Sequence, residues 1–102
     1  MVDDDNEWPA KGPNDRLDYG LDWRDFIALV DGLTVDEFTV TSTPSGLTIS
    51  DPVDIDGVAK MWISGGTKKV TYTVAVTLNA TVPGDVTGLT ATRSKTLYVQ
   101  DL

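Results

Sequence analysis

The chain has 102 residues, enough for one domain with its own core and too few for two. It contains no cysteine and no histidine, which excludes disulfides, thiolate metal sites and the commonest general base. The net charge of −8 argues against nucleic-acid binding, because that function needs a basic surface. No stretch reads as a signal peptide or a membrane span, so we expect a soluble chain.

The charge is unevenly distributed along the chain. Residues 1–56 carry 14 acidic and 3 basic side chains, whereas residues 57–102 carry 2 acidic and 5 basic ones. Two interpretations are open. The acidic half is either ordinary solvated surface, or it docks on a basic surface of a partner or of a neighbouring copy.

Residues 1–13 predict an extended N-terminal arm outside the packed domain. They contain Pro9, Gly12 and Pro13 and show no apolar periodicity. Trp8 is unexpected in a solvated tail. It either folds back onto the domain or anchors the arm on another protein.

The next stretch, "LDYGLDW" at residues 17–23, alternates apolar and polar side chains as a half-buried strand does. Its two acids on the polar file, Asp18 and Asp22, lie about 13 Å apart on an extended strand. That separation is too large for the carboxylate pair of a glycosidase, so we interpret them as the solvent face. "DFIALVDG" then predicts a helical turn or a loop that carries Phe26 and Leu29 into the core.

Short strands and turns follow to the end of the chain. The clearest strand is "VTYTVAVTLNATV" at residues 70–82, with one apolar file and one rich in threonine. In the last strand, "GLTATRSKTLYVQ", Arg93 and Lys95 fall on the apolar face, which predicts a bulge or a run past the edge of the core. About seven strands without a long helix predict an all-β fold: a single immunoglobulin-like antiparallel β-sandwich over residues 14–102.

No set of residues supports catalysis or cofactor binding. The serines have no histidine to activate them. Asp54 and Asp56, before Gly57, are the only calcium candidates, but Pro52 and the missing downstream glutamate favour an ordinary acidic turn. In "SGGTKK" the two glycines predict a turn between strands, not a phosphate loop.

Three motifs together, "LDYGLDW", "WISGGT" and "TYTV", occur in an order that resembles the small immunoglobulin-like β-sandwich proteins of tailed-bacteriophage virions. The resemblance spans about residues 8–99 and includes "FTVTSTPSGLTI" and "RSKTLYV". The chain departs from that pattern in "NATVPGDVTGLTAT", where the loop around residues 83–88 is longer.

The resemblance implies a non-enzymatic structural role in the virion, with multiple copies on the particle. It implies capsid, portal or neck, or fibre subunits as partners, and neither nucleic acid nor membrane. On the particle, the resemblance implies one of two positions: on the head as a decoration protein, or at the neck, the collar or the fibre attachment. The alternative is a carbohydrate-binding or host-surface-binding module of a tail fibre.

Within this resemblance, the residues divide into an arm that reaches a neighbouring subunit and a core. The partner-binding arm residues are Asp3, Asp4, Asp5, Trp8 and Pro9. The core residues are Leu17, Tyr19, Leu21, Trp23, Trp62, Tyr72, Val74 and Val76. We expect Trp23 and Trp62 to be packed inside rather than exposed for ligand stacking.

Overall fold

The computed structural model describes residues 7–84 and 88–101. These residues form seven strands and one short helix. They are β1 (Leu17–Asp22), α1 (Arg24–Leu29), β2 (Thr34–Thr43), β3 (Leu47–Ile49), β4 (Val53–Ile55), β5 (Val58–Gly65), β6 (Thr71–Thr81) and β7 (Leu89–Tyr98). Within the described ranges, no helix is long and apolar enough to span a membrane.

The strands form two antiparallel sheets that pack as a sandwich, which confirms the predicted fold class. In the first sheet, β5 is central: it pairs with β1 on one edge and with β3 and then β4 on the other. In the second sheet, β6 lies between β2 and β7. A bulge at Asp36 shifts the register between β2 and β6.

Alternation along the strands produces the core. In β6 every second side chain is buried, and β5 follows the same pattern through Ala59, Met61 and Ile63. Of the expected core residues, six are buried: Tyr19, Leu21, Trp23, Tyr72, Val74 and Val76.

Two expected core residues, Leu17 and Trp62, lie at the surface, with 40% and 45% of their areas exposed. Trp62 stands between the inward-facing Met61 and Ile63, so the strand period of two turns it outward. Leu17 is the first residue of β1, an edge strand of the first sheet, where it pairs with the buried Ile63.

The helix α1 also differs from expectation at one position. Phe26 packs against the core, its ring edge-on to Trp23 with centroids 5.6 Å apart. Leu29, expected to be inside, is 81% exposed at the last residue of the helix.

In β7, neither a bulge nor an overrun explains the position of Arg93. The pairing of β6 with β7 runs without a register shift from Thr71 to Ala80. Instead, the Arg93 guanidinium lies 4.7 Å from the Trp23 ring centroid and also contacts the Asp25 carboxylate at 3.1 Å. Its stem therefore covers the core while its charge stays partnered at the surface.

The N-terminal segment, residues 7–12, which we expect to lie in the arm of residues 1–13, contacts the sandwich along β7. Glu7 and Lys11 form parallel bridges to β7 at Thr96 and to Val99 just beyond it. The Trp8 backbone N–H also donates to the Thr96 carbonyl at 2.9 Å. The segment thus adds a short, interrupted strand to the free edge of β7.

The glycines of "SGGT" permit a tight approach between the sheets. Gly66 has a φ of +95°, and a Cβ there would lie 2.8 Å from Val99 and 3.0 Å from Leu47. A side chain at this position would therefore force the ends of the two sheets apart.

Candidate docking face

The first sheet has an outer face, turned away from the core, that presents apolar side chains to solvent. The register of β4 on β5 sets Val53 opposite Lys60, and that of β1 on β5 sets Asp18 opposite Trp62. Cross-strand partners share a face of the sheet. Ile55, two residues after Val53, therefore points to the same side as Trp62.

Three of these side chains form what we name the outer apolar patch: Val53, Ile55 and Trp62. They are 57%, 52% and 45% exposed. Together with Asp18, Ser50, Asp51 and Lys60 they line a shallow hollow of about 270 Å³. Clustered exposed apolar side chains with a polar rim are typical of protein interaction sites.

The backbone of Trp62 is held firmly although its ring is exposed. Its N–H donates to the Ser50 hydroxyl at 2.8 Å, and its carbonyl accepts the Ser50 N–H at 2.9 Å. The Arg16 guanidinium lies 4.4 Å from the ring centroid. A preorganised tryptophan beside an arginine is the kind of residue pair that dominates binding energy in protein interfaces.

An ion pair borders the patch on the β1 side. The Lys60 ammonium lies 2.9 Å from the Asp18 carboxylate, and that hydrogen bond lowers the pKa of Asp18 below its usual value. Gly20, opposite Lys60, leaves room for this arrangement, because a Cβ there would lie 3.0 Å from the Lys60 stem. The pair keeps both charges at the rim of the patch.

The second acid of β1, Asp22, is also engaged in an ion pair. Its carboxylate accepts hydrogen bonds from the Arg24 side chain at 2.7 and 2.9 Å and from the Arg24 backbone N–H. These bonds hold the pKa of Asp22 at about 2. Both Asp18 and Asp22 are therefore ionised and paired at neutral pH, an arrangement unsuited to a general acid or base.

One family model matches this chain, over residues 11–96: the podophage GP4 fiber-tail adaptor protein gp77. The chain belongs to this family. The family is one of structural adaptors of the phage tail, and the protein is a component of the virion. The resemblance to phage virion proteins is thereby confirmed at the level of a tail-associated structural family. No curated protein and no solved structure matches the chain.

The region matched by the fiber-tail adaptor model runs from Lys11 into β7 and includes the whole outer apolar patch. Trp8 and Pro9, expected to contact a partner, lie before the matched region and form hydrogen bonds to β1. The Trp8 indole N–H donates to the Gly20 carbonyl at 3.1 Å, and Pro9 accepts the Tyr19 hydroxyl at 3.0 Å. Asp3, Asp4 and Asp5 lie outside the described residues.

The weak calcium candidates take part in a turn. The Asp54 carboxylate accepts the Gly57 N–H at 2.9 Å, and Asp56 has a φ of 51° in the same turn between β4 and β5. Across residues 7–84 and 88–101, no group of three or more acidic side chains is positioned to hold a metal ion.

Sequence reasoning missed the outer apolar patch, although part of the signal was present. "MWIS" alternates, so burying Met61 and Ile63 requires Trp62 to point outward. Val53 and Ile55 share one file of "VDI", and the Asp56-Gly57 turn folds that file beside β5. The contact between Arg16 and Trp62 has no signal in the sequence, since it depends on how the chain enters β1.

Proposed function

We propose that this protein joins a tail fibre to the phage tail as a non-enzymatic adaptor, and that the outer apolar patch is a docking face for one of those partners. The observation that carries the proposal is the exposure of Val53, Ile55 and Trp62 on a hydrogen-bonded sheet. Family membership supports the fibre attachment site over head decoration or a collar position.

The physical basis is desolvation of a surface that is already ordered. Trp62 and its neighbours bury apolar area on binding. Full burial of an exposed aliphatic side chain contributes about 1.5–3 kcal/mol, and these side chains, which are about half exposed, contribute a corresponding part of that. Because β5 holds Trp62 in place, little conformational entropy is lost on association. Partners are fibre and tail subunits, and several copies assemble on the particle.

Trp62→Ser tests this proposal, with Leu29→Ser as the matched control. Both remove a large exposed apolar side chain, but Leu29 lies on α1, outside the patch. Particles assembled with the Trp62 variant should carry at least tenfold fewer fibre subunits per tail, measured by quantitative mass spectrometry. The Leu29 variant should match wild type.

Thermal unfolding of both purified variants separates loss of binding from loss of fold. Full fibre occupancy with a folded Trp62→Ser protein would overturn the patch as the docking face.

The alternative, a carbohydrate-binding module of a tail fibre, is favoured by one observation: Trp62 is an exposed aromatic ring. Against it, Arg16 already covers that ring. Binding of the wild-type protein to host glycans, abolished by Trp62→Ser, would support the alternative.

A further inference from the structure

The sandwich has two seams, where the edges of its sheets meet, and the chain itself seals one of them. Residues 7–12 run along β7 of the second sheet, where the Lys11 N–H donates to the Tyr98 carbonyl at 3.1 Å. The same segment reaches the first sheet through Trp8, which bonds Gly20, and through the Lys11 ammonium, which bonds the Gly65 carbonyl at 2.6 Å. This seam is closed by backbone and side-chain bonds together.

The opposite seam, between β2 and the β3–β4 edge, is open. Within the described ranges β2 pairs with β6 alone, so its other edge carries unpaired backbone groups. A groove of about 900 Å³ runs along this edge. Its apolar floor includes Phe38, Val40, Leu47 and Ile49.

The groove has a strongly one-sided charge. Four acids line it: Asp36, Glu37, Asp51 and Asp54. No basic side chain occurs among the described residues that line it. A ligand with positive charges is therefore favoured over a neutral or acidic one.

The β2 edge also has the length that strand addition needs. After the bulge, the register with β6 continues without interruption from Glu37 to Thr43. Seven residues at the usual rise per residue give an edge of about 24 Å. The bulged Asp36 is fixed by the Thr81 hydroxyl, which donates to its carboxylate at 2.7 Å.

We propose that the open seam receives an extended segment of a tail or fibre subunit, which adds as a strand to the free edge of β2. The segment alternates apolar side chains, which cover the groove floor, with lysine or arginine, which lie on the outward face of β2 beside Glu37. The proposal rests on the proposed adaptor function and names a second contact within it. Strand addition supplies affinity through main-chain bonds and specificity through alternate side chains.

The charge of the groove also argues against the chain's own N-terminus as the occupant. Residues 1–6 carry three consecutive acids, Asp3, Asp4 and Asp5, which the acidic groove repels. A basic segment of a different chain therefore fits the groove better than the acidic N-terminus of a second copy.

The test uses the full-length protein and three synthetic peptides. The first is an eight-residue peptide that alternates lysine with valine, the second replaces lysine by glutamate, and the third is the chain's own "MVDDDN". Amide hydrogen exchange, followed by NMR, measures protection residue by residue. The lysine peptide should slow exchange of β2 amides at least tenfold, and the other two should leave it unchanged.

Charge reversals locate the contact. Glu37→Lys should weaken binding of the lysine peptide at least tenfold, because Glu37 lies on the outward face of β2 beside the lysine side chains. Asp31→Lys, the same charge change at an exposed site outside the groove, should leave binding within about twofold of wild type. Binding should also weaken as salt is raised.

Several outcomes would overturn the inference: no protection of β2, equal binding of the acidic peptides, or equal weakening by Asp31→Lys. Fibre occupancy distinguishes this failure from failure of the adaptor function. If Trp62→Ser particles lose fibres while Glu37→Lys particles and the β2 amides show no effect, the adaptor function stands and strand addition fails.

Discussion

Lys11 carries a charged side chain of which only 1% of the surface is exposed. Its ammonium donates to the carbonyls of Gly12 and Gly65, each at 2.6 Å. Burial lowers the pKa of Lys11, and the nearby Asp15 and Tyr72 partly oppose that shift. Lys11 therefore links the N-terminal segment to the end of β5 by a hydrogen bond.

Replacing Lys11 should be costly for stability. Lys11→Ala removes the buried stem and the ammonium that bonds the Gly65 and Gly12 carbonyls, of which Gly12 keeps the Asp15 N–H. The free energy of unfolding should therefore fall by about 2–4 kcal/mol. Lys11→Met keeps most of the stem packing and should cost less. Urea unfolding measures both variants. A loss below about 0.5 kcal/mol for Lys11→Ala would contradict a structural role for this residue.

Element pairing decides which parts of the fold could be predicted from sequence. The strand predicted at residues 70–82 is observed as Thr71–Thr81, because strict alternation of valine and threonine is a local signal. The N-terminal segment lacked any such signal. Its order comes from bridges to residues more than 80 positions away along the chain, at Thr96 and Val99.

The N-terminal segment should stabilise the sandwich through Trp8. The Trp8 ring lies 4.9 Å from the Tyr19 ring, centroid to centroid, and its indole bonds Gly20. Trp8→Ala should lower the free energy of unfolding by about 2 kcal/mol or more, because it removes ring packing and a hydrogen bond. Trp8→Phe keeps a ring and should cost about 1 kcal/mol.

Chemical unfolding compares the two Trp8 variants with wild type. Amide exchange at Lys11, whose N–H bonds the Tyr98 carbonyl, reports whether the segment detaches from β7. If Trp8→Ala changes neither the unfolding midpoint nor this exchange, the segment does not seal the seam.

At the scale of the whole molecule, sequence predicted the sandwich but not its interaction surfaces. Binary patterning fixes which side chains face inward, so residues such as Tyr72 and Val76 were assigned correctly to the core. The outer apolar patch and the open seam depend on which strands become neighbours. Trp62, expected in the core, is exposed because it lies between the inward-facing Met61 and Ile63.

The two proposed contacts lie next to each other, at the β3–β4 edge of the first sheet. Asp51 and Val53 line both the hollow at the outer apolar patch and the groove of the open seam. A partner strand on β2 and a partner surface on Trp62 can therefore be held together by the same β3–β4 edge. An adaptor needs two such contacts, since it must hold both a fibre and a tail.

The number of copies on the particle distinguishes fibre attachment from head decoration. Quantitative mass spectrometry of purified phage would scale this protein against the tail, fibre and major capsid subunits. Fibre attachment predicts a small, ring-sized number of copies in a fixed ratio to the fibre subunits. A number close to that of the major capsid subunit would contradict it and would identify the protein as a head decoration instead.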